Sequence, residues 1–422
     1  MTTSDPDIVV VGAGAAGIGA ARRLSGHGYS TVIIEQLPRA GGRAWTYATS
    51  AGPVDLGCGW LHSADRNPWT GIAAELGFVV DRRVTAWGEQ FKELGFSSKD
   101  RAAARNAFAL WNEDIRKNPP ASDRASDALN PNSPWTPYLQ ALSGYISGDE
   151  LERISVTDYV AYDDASTENN WRVADGYGHL ITSALPAEVE LRLGSPLEGL
   201  DLSERKIVLQ TSAGTIRTSA VIFTISSNVL AGGAIKLPGA LDPWRQAASL
   251  LPLGNNEKFY FEVLDGGPFE DETHVLGDPH DSMTGAYYIR PFGQPVLECF
   301  LGGAGARAAF TMGREAAFDQ AINQLAGLFG SDTRKYLKPL AASNWAGTLS
   351  IGGGYSHALP GHANTRLQLA QSFDGRVFFA GEATHTTDFS TAHGAYQSGQ
   401  RAADEAMASR VVRVKASRAD RR

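Results

Sequence analysis

The stretch DIVVVGAGAAGIGAARRL, residues 7–24, decides how the rest of the chain is read. Four apolar residues, Ile8 to Val11, form a short buried strand. Three glycines then interrupt the run, and an alanine-rich helix follows to about His27. TVIIE, residues 31–35, is a second strand ending on an acid. The βαβ unit places Gly12 at the tight turn, Gly14 where a pyrophosphate must approach the backbone, and Gly17 where helix packs on strand. Ala15 and Ala16 open the helix, so its N-terminus faces the phosphates. At the end of the second strand, the Glu35 carboxylate can accept hydrogen bonds from both ribose hydroxyls and would repel a phosphate there. The unit predicts a dinucleotide site and leaves NAD and FAD both open.

A chain of 422 residues exceeds what one core usually supports, so two domains, interleaved in sequence, are expected, with room for a large buried site. Hydrophobic residues make up 43% and charged residues 20%, an ordinary soluble balance. A net charge of −8 argues against a nucleic-acid partner and is compatible with a cationic substrate. Cys58 and Cys299 lie far apart without metal-ligand spacing, so neither a disulfide framework nor a metal site is expected, and a reducing cytoplasm fits. The acidic start, MTTSDPD, is unlike a secretory leader, and no apolar run approaches the roughly 20 residues needed to span a bilayer.

Helical patches such as DRAAARNAFALWNEDIRK predict an inserted helical region over about 95–185. RKIVLQTSAGTIRTSAVIFTI, residues 205–225, reads as a hairpin leading into a buried strand. GRVFFAGEATH, residues 375–385, is a strand entering a glycine turn, and the helix after it is capped by Ser390 or Thr391. The basic residues 411–422 have no helical apolar face and are expected to be a disordered tail.

Four further stretches bear on the cofactor. GGRAWT (41–46) and VDLGCGWLH (54–62) follow the first unit, and NWAGTLSIGGGYSHA (344–358) and FFAGEATH…HGAYQSGQRAA (378–403) close the chain. Together with the opening unit, this set resembles the flavin-dependent amine oxidase family over about residues 7–408. The resemblance implies an α/β fold in which a Rossmann-like FAD-binding domain (1–80, 186–240 and 366–410) is interleaved with an α+β substrate-binding domain (81–185 and 241–365). It implies that Gly12, Gly14, Ala15, Ala16, Gly17 and Glu35 hold the ADP half of FAD, with Gly42 and Arg43 at the pyrophosphate. Gly59 and Trp60 would lie near the flavin ring, Gly381 and Glu382 near the ribityl region, and Thr391 and Ala392 at a helix N-terminus facing the ring. Relatives that bond the flavin covalently carry a cysteine where this chain has Gly354, so the FAD is expected to be non-covalent.

The implied activity is oxidation of a small-molecule amine at the carbon beside nitrogen, with molecular oxygen as acceptor and hydrogen peroxide as product. The amine and the oligomeric state are left open. In the family a lysine reaches the flavin from the substrate domain, and Lys258 in GNNEKFYFEV (254–263) matches it. Strand alternation puts Lys258 and Tyr260 on one face and Phe259, Phe261 and Val263 on the other. The plainer reading is an edge-strand charge that discourages aggregation. Tyr355 corresponds to one wall of the family's aromatic cage. The second wall is missing at Ser390 and Thr391, or is supplied by Phe389 or another loop. His62 resembles a substrate-cavity histidine. Two rival functions remain: a desaturase or porphyrinogen-oxidase-like enzyme on a larger apolar substrate, and an FAD-binding protein that has lost catalysis.

Overall fold

The computed structural model describes the backbone from residue 5 to residue 419 and side chains through residue 409. Its first sheet is parallel, in the order Val377–Phe379, Ala220–Phe223, Ile8–Val11, Thr31–Ile34, Glu190–Arg192. A parallel sheet buried on both faces needs apolar residues throughout, which is why IVVV carries no polar alternation. Ile8, Val10 and Ile33 pack under the helix Ala15–Leu24, and Val9, Val11 and Val32 face a second core with Leu209 and Ala248. The first helix packs closely on the last, Ala392–Ala419. A Cβ on Gly19 would sit 2.4 Å from the Tyr396 carbonyl oxygen, and one on Gly399 would sit 1.9 Å from that of Ala16, so only glycine admits this approach. Tyr177, Leu180 and Ile181, within a stretch assigned by sequence to the substrate domain, join the first core.

The second sheet is antiparallel, in the order Thr273–Leu276, Ala286–Ile289, Val296–Gly302, Asn256–Val263, Leu337–Ala342. On one face Phe259 and Phe261 meet the ring of Phe318, on the helix Arg314–Phe329, edge to face at 5.1 and 5.2 Å. The strand carrying Lys258 lies inside the sheet with a neighbour on each side, so the edge-charge reading is corrected: there is no open edge for it to guard.

Between these parts lie the helices Ser98–Lys117, Thr136–Ser147 and Val156–Ala165, in the region predicted to be helical. Ile207–Thr211 and Gly214–Thr218 form the expected hairpin before Ala220–Phe223. The last helix is assigned to Ala419, so the backbone of 411–419, in the tail expected to be disordered, is helical, and 420–422 lie outside the described residues. Among the described residues no helix is long and apolar enough to cross a membrane.

Candidate active site

A cavity of about 900 Å³ opens between the two sheets. Its lining includes Val11, Ile34, Thr224 and Gly381, at or just beyond the carboxyl ends of strands in the first sheet, where open α/β folds bind ligands. Gly12 lies there at φ 108°, and a Cβ on Gly17 would stand 2.0 Å from the Gly12 carbonyl oxygen. Gly17 therefore sits beneath the cavity and does not line it, which fits the packing role read from its spacing. Gly14, Ala15 and Ala16 line the cavity, and no side chain caps this helix N-terminus, leaving it open to an anion.

The Glu35 carboxylate is fixed at the end of its strand: Ala13 N–H donates to Oε2 and Leu37 N–H to Oε1, each at 2.8 Å. Ser195 and Ser350 line the same cavity, and their buried hydroxyls have no hydrogen-bond partner among the described residues. The uncapped helix, the acid at the second strand and these orphaned hydroxyls fit the dinucleotide that the resemblance implies.

Gly42 lines the cavity beside Arg43, whose Nη1 donates to the Gly354 carbonyl at 2.6 Å and to Glu382 Oε1 at 2.9 Å. The other Glu382 oxygen accepts Ser356 Oγ at 2.6 Å and Ser390 N–H at 2.9 Å. Burial alone would raise the Glu382 carboxyl, but Arg43, then Ser356, Arg366 and the Ser390 N–H, hold it below its ordinary value. The buried acid is therefore ionised and paired. Thr391, not Ser390, caps the last helix, with Gly394 N–H donating to its Oγ1 at 3.0 Å; Thr391 and Ala392 line the cavity.

At the other sheet the cross-strand register builds the cavity floor. Lys258 pairs with Phe300, Phe300 with Ala286 and Ala286 with Leu276, while the adjacent row runs Tyr260, Glu298, Tyr288, His274. All of these line the cavity except Tyr260. The Lys258 ammonium stands 3.2 Å from Glu298 Oε1 and close to Gly59, where a Cβ would lie 3.3 Å from Nζ. Trp60 meets Trp87 at 4.3 Å with the rings tilted by 59°, and Tyr288 edge to face at 5.7 Å, forming an aromatic wall.

Two expectations are corrected. Tyr260 is buried beneath the floor, its hydroxyl donating to Glu298 Oε2 at 2.6 Å and lying 2.9 Å from the Asp55 carbonyl. Phe389 also lies outside the main cavity: its ring is 3.6 Å from the Arg366 guanidinium and 5.4 Å from Tyr162. It therefore leaves the second wall to other aromatics, and Tyr162 and Tyr145 line the cavity. Tyr355 lines it too, its hydroxyl donating to the Tyr145 carbonyl. His62 Nδ1 is 2.7 Å from Asn170 Oδ1. Burial lowers its pKa to about 4, so it is neutral with Nε2 left as an acceptor.

Sequence reading missed Glu298, His274 and Arg101. Glu298 had a signal: in VLECFLGG it alternates with apolar residues, as Lys258 does in its own strand.

Residues 86–407 match the family described as flavin containing amine oxidoreductase, and residues 10–76 match a NAD(P)-binding Rossmann-like domain. The chain is 25% identical over 447 residues to polyamine oxidase 2 of Arabidopsis thaliana, covering 96% of this chain and 89% of that one. It is 24% identical over 445 residues to polyamine oxidase 4 of Oryza sativa subsp. japonica, covering 95% and 88%. The fold matches wild-type putrescine oxidase bound to putrescine with a TM-score of 0.73 at 18% identity, covering 96% of this chain and 99% of that one. With its cradle fitting the cofactor and most of its length matching one family, the chain belongs to the flavin-containing amine oxidoreductases and is an FAD-dependent enzyme of that class.

Proposed function

We propose that the protein is an oxidase that takes hydride from the carbon beside an amine nitrogen. The imine hydrolyses to an aldehyde or ketone, and oxygen, as final acceptor, leaves as hydrogen peroxide. FAD supplies the two-electron acceptor. Glu35 orients the ribose, the open end of the helix Ala15–Leu24 and Arg43 receive the pyrophosphate, and the Glu382 carboxylate keeps Arg43 in place. The capped N-terminus at Thr391 favours negative charge against it. Lys258 holds a proton on Nζ at the floor and, with one donor position on Glu298, keeps others for a water and the reacting centre. Tyr355 and the Trp60 wall exclude bulk water and orient a neutral amine.

The observation that carries this reading is a buried lysine on the interior strand of the second sheet, opening into the same cavity as the Gly12–Glu35 cradle. A desaturase or a porphyrinogen oxidase has no need of that ammonium, so the lysine favours the amine reading. The division into FAD-binding and substrate-binding segments is supported by the composition of the two sheets. A cytoplasmic setting is supported by the two free thiols. Anaerobic bleaching of the flavin by a panel of amines, followed by peroxide release on admitting oxygen, tests the reading. No bleaching by any amine would contradict it.

A further inference from the structure

Resting on the amine-oxidising reading, we propose that the substrate carries a carboxylate at the end opposite its reacting amine, received by Arg101, and is not a polyamine. The floor register gives the geometry. Leu276 stands three strand spacings, about 14 Å, from Lys258 along the row of cross-strand partners. Gln90 clasps Leu276: its Oε1 accepts Leu276 N–H at 2.8 Å and its Nε2 donates to the Leu276 carbonyl at 3.1 Å. The Gln90 carbonyl in turn accepts Arg101 Nη1 at 3.2 Å, which fixes Arg101 at the end of the floor remote from Lys258.

Arg101, Arg105 and Phe108, at helical spacing on Ser98–Lys117, line the cavity on one face of that helix. Arg101 Nε is buried with no hydrogen-bond partner among the described residues, so the bond to Gln90 leaves the guanidinium short of acceptors. Among the described residues neither guanidinium has an ion-pair partner. Glu93, the carboxylate near Arg101, is taken up by the N–H and hydroxyl of Ser98.

Four of the five carboxylates that line the cavity are already engaged. Glu35 is bound by two backbone N–H groups, Glu382 by Arg43, Glu298 by Lys258 and Tyr260, and Asp163 by Arg116. Glu168, the remaining one, is exposed at the surface. Burial keeps His62 and His274 neutral, with pKa values of about 4. A polyamine would bring a second ammonium to the Leu276 end of the floor, beside half-buried Arg101 and exposed Arg105, where like charges repel it. A carboxylate would meet the guanidinium of Arg101, which lines the cavity, in charge-assisted geometry.

The test compares ω-amino carboxylates with α,ω-diamines of matching chain length on the FAD-loaded enzyme, reading half-saturation in anaerobic flavin bleaching. The amino carboxylates should saturate at concentrations at least about tenfold lower, with an optimum at one length. Arg101→Gln should raise half-saturation for the best amino carboxylate at least about tenfold more than for the plain alkylamine, and Arg101→Lys should fall between. Plain alkyl carboxylates, added without turnover, should perturb the oxidised flavin spectrum in the unmodified enzyme and not in Arg101→Gln. A preference for diamines, or an Arg101→Gln effect equal on both amines, would overturn the proposal. If no amine bleaches the flavin, the amine-oxidising reading fails, while an Arg101-dependent carboxylate perturbation would still uphold the anion site.

Discussion

Lys258 Nζ lies 3.2 Å from Glu298 Oε1, and the other oxygen of that carboxylate accepts the Tyr260 hydroxyl at 2.6 Å. The lysine is thus half of an ion pair whose acid is clamped from below. Removing one partner strands a charge at a site where Lys258 and Glu298 side chains are 9% and 19% exposed. Complete burial would make that loss roughly 3–5 kcal/mol, and water in the cavity reduces it. Glu298→Gln and Lys258→Met should each lower unfolding stability, and the double variant should regain part of the loss. Denaturant unfolding of all four proteins checks this; additive losses would mean the pair is not coupled.

Arg43 and Glu382 are also coupled, but toward the cofactor. Arg43→Ala and Glu35→Ala should each weaken FAD retention by roughly 1.5–3 kcal/mol through lost charge-assisted hydrogen bonds. Titrating FAD into the apoprotein measures this, and unchanged affinity in both would mean the cradle is misassigned.

The flavin should leave intact on denaturation. A Cβ on Gly354 would stand 2.6 Å from Asn256 Oδ1, so the position does not accept a linking cysteine without rearrangement. Cys58 lines the cavity, but burial, and then Asp55, push its thiol up to about 12, so it is no thiolate nucleophile. Filtering the denatured protein should separate colour from polypeptide; colour retained above the filter would refute a free cofactor.

Acid should destabilise the protein over a definite window. Burial lowers His62, His274 and His357 from 6.5 to about 4. The unfolded chain therefore binds more protons than the folded one between those values, and stability falls as pH drops from about 6.5 to about 4. Each histidine contributes a slope of up to about 1.4 kcal/mol per pH unit within the window. His274→Phe should flatten the fall, and an identical slope in that variant would remove His274 from the explanation.

Much of this was legible in sequence because it was local. The glycine spacing, Glu35 and the Thr391 cap are each set within a few residues, and the Lys258 face follows from alternation alone. Tyr260 shows the limit: alternation gave its face correctly, but the Asp55 segment, some 200 residues away in sequence, closes over it. Phe389 precedes Ser390, which sits at φ 63°, and the turn there carries the ring to Arg366 instead of the main cavity. Glu298 was visible as an acid among apolar residues, but its pairing with Lys258 depends on cross-strand register, which no local pattern states. Arg101 depends on where an inserted helix docks, again a long-range fact.

The central claim is that Lys258 acts on the reaction at the flavin. Lys258→Met keeps the length of the side chain and removes the charge, and it should fold and retain FAD. Stopped-flow traces of the two half-reactions, amine reducing the enzyme anaerobically and oxygen reoxidising it, should show at least one slowed by about tenfold or more, equivalent to roughly 1.4 kcal/mol of barrier. Both traces superimposing on those of the unmodified enzyme would contradict the claim.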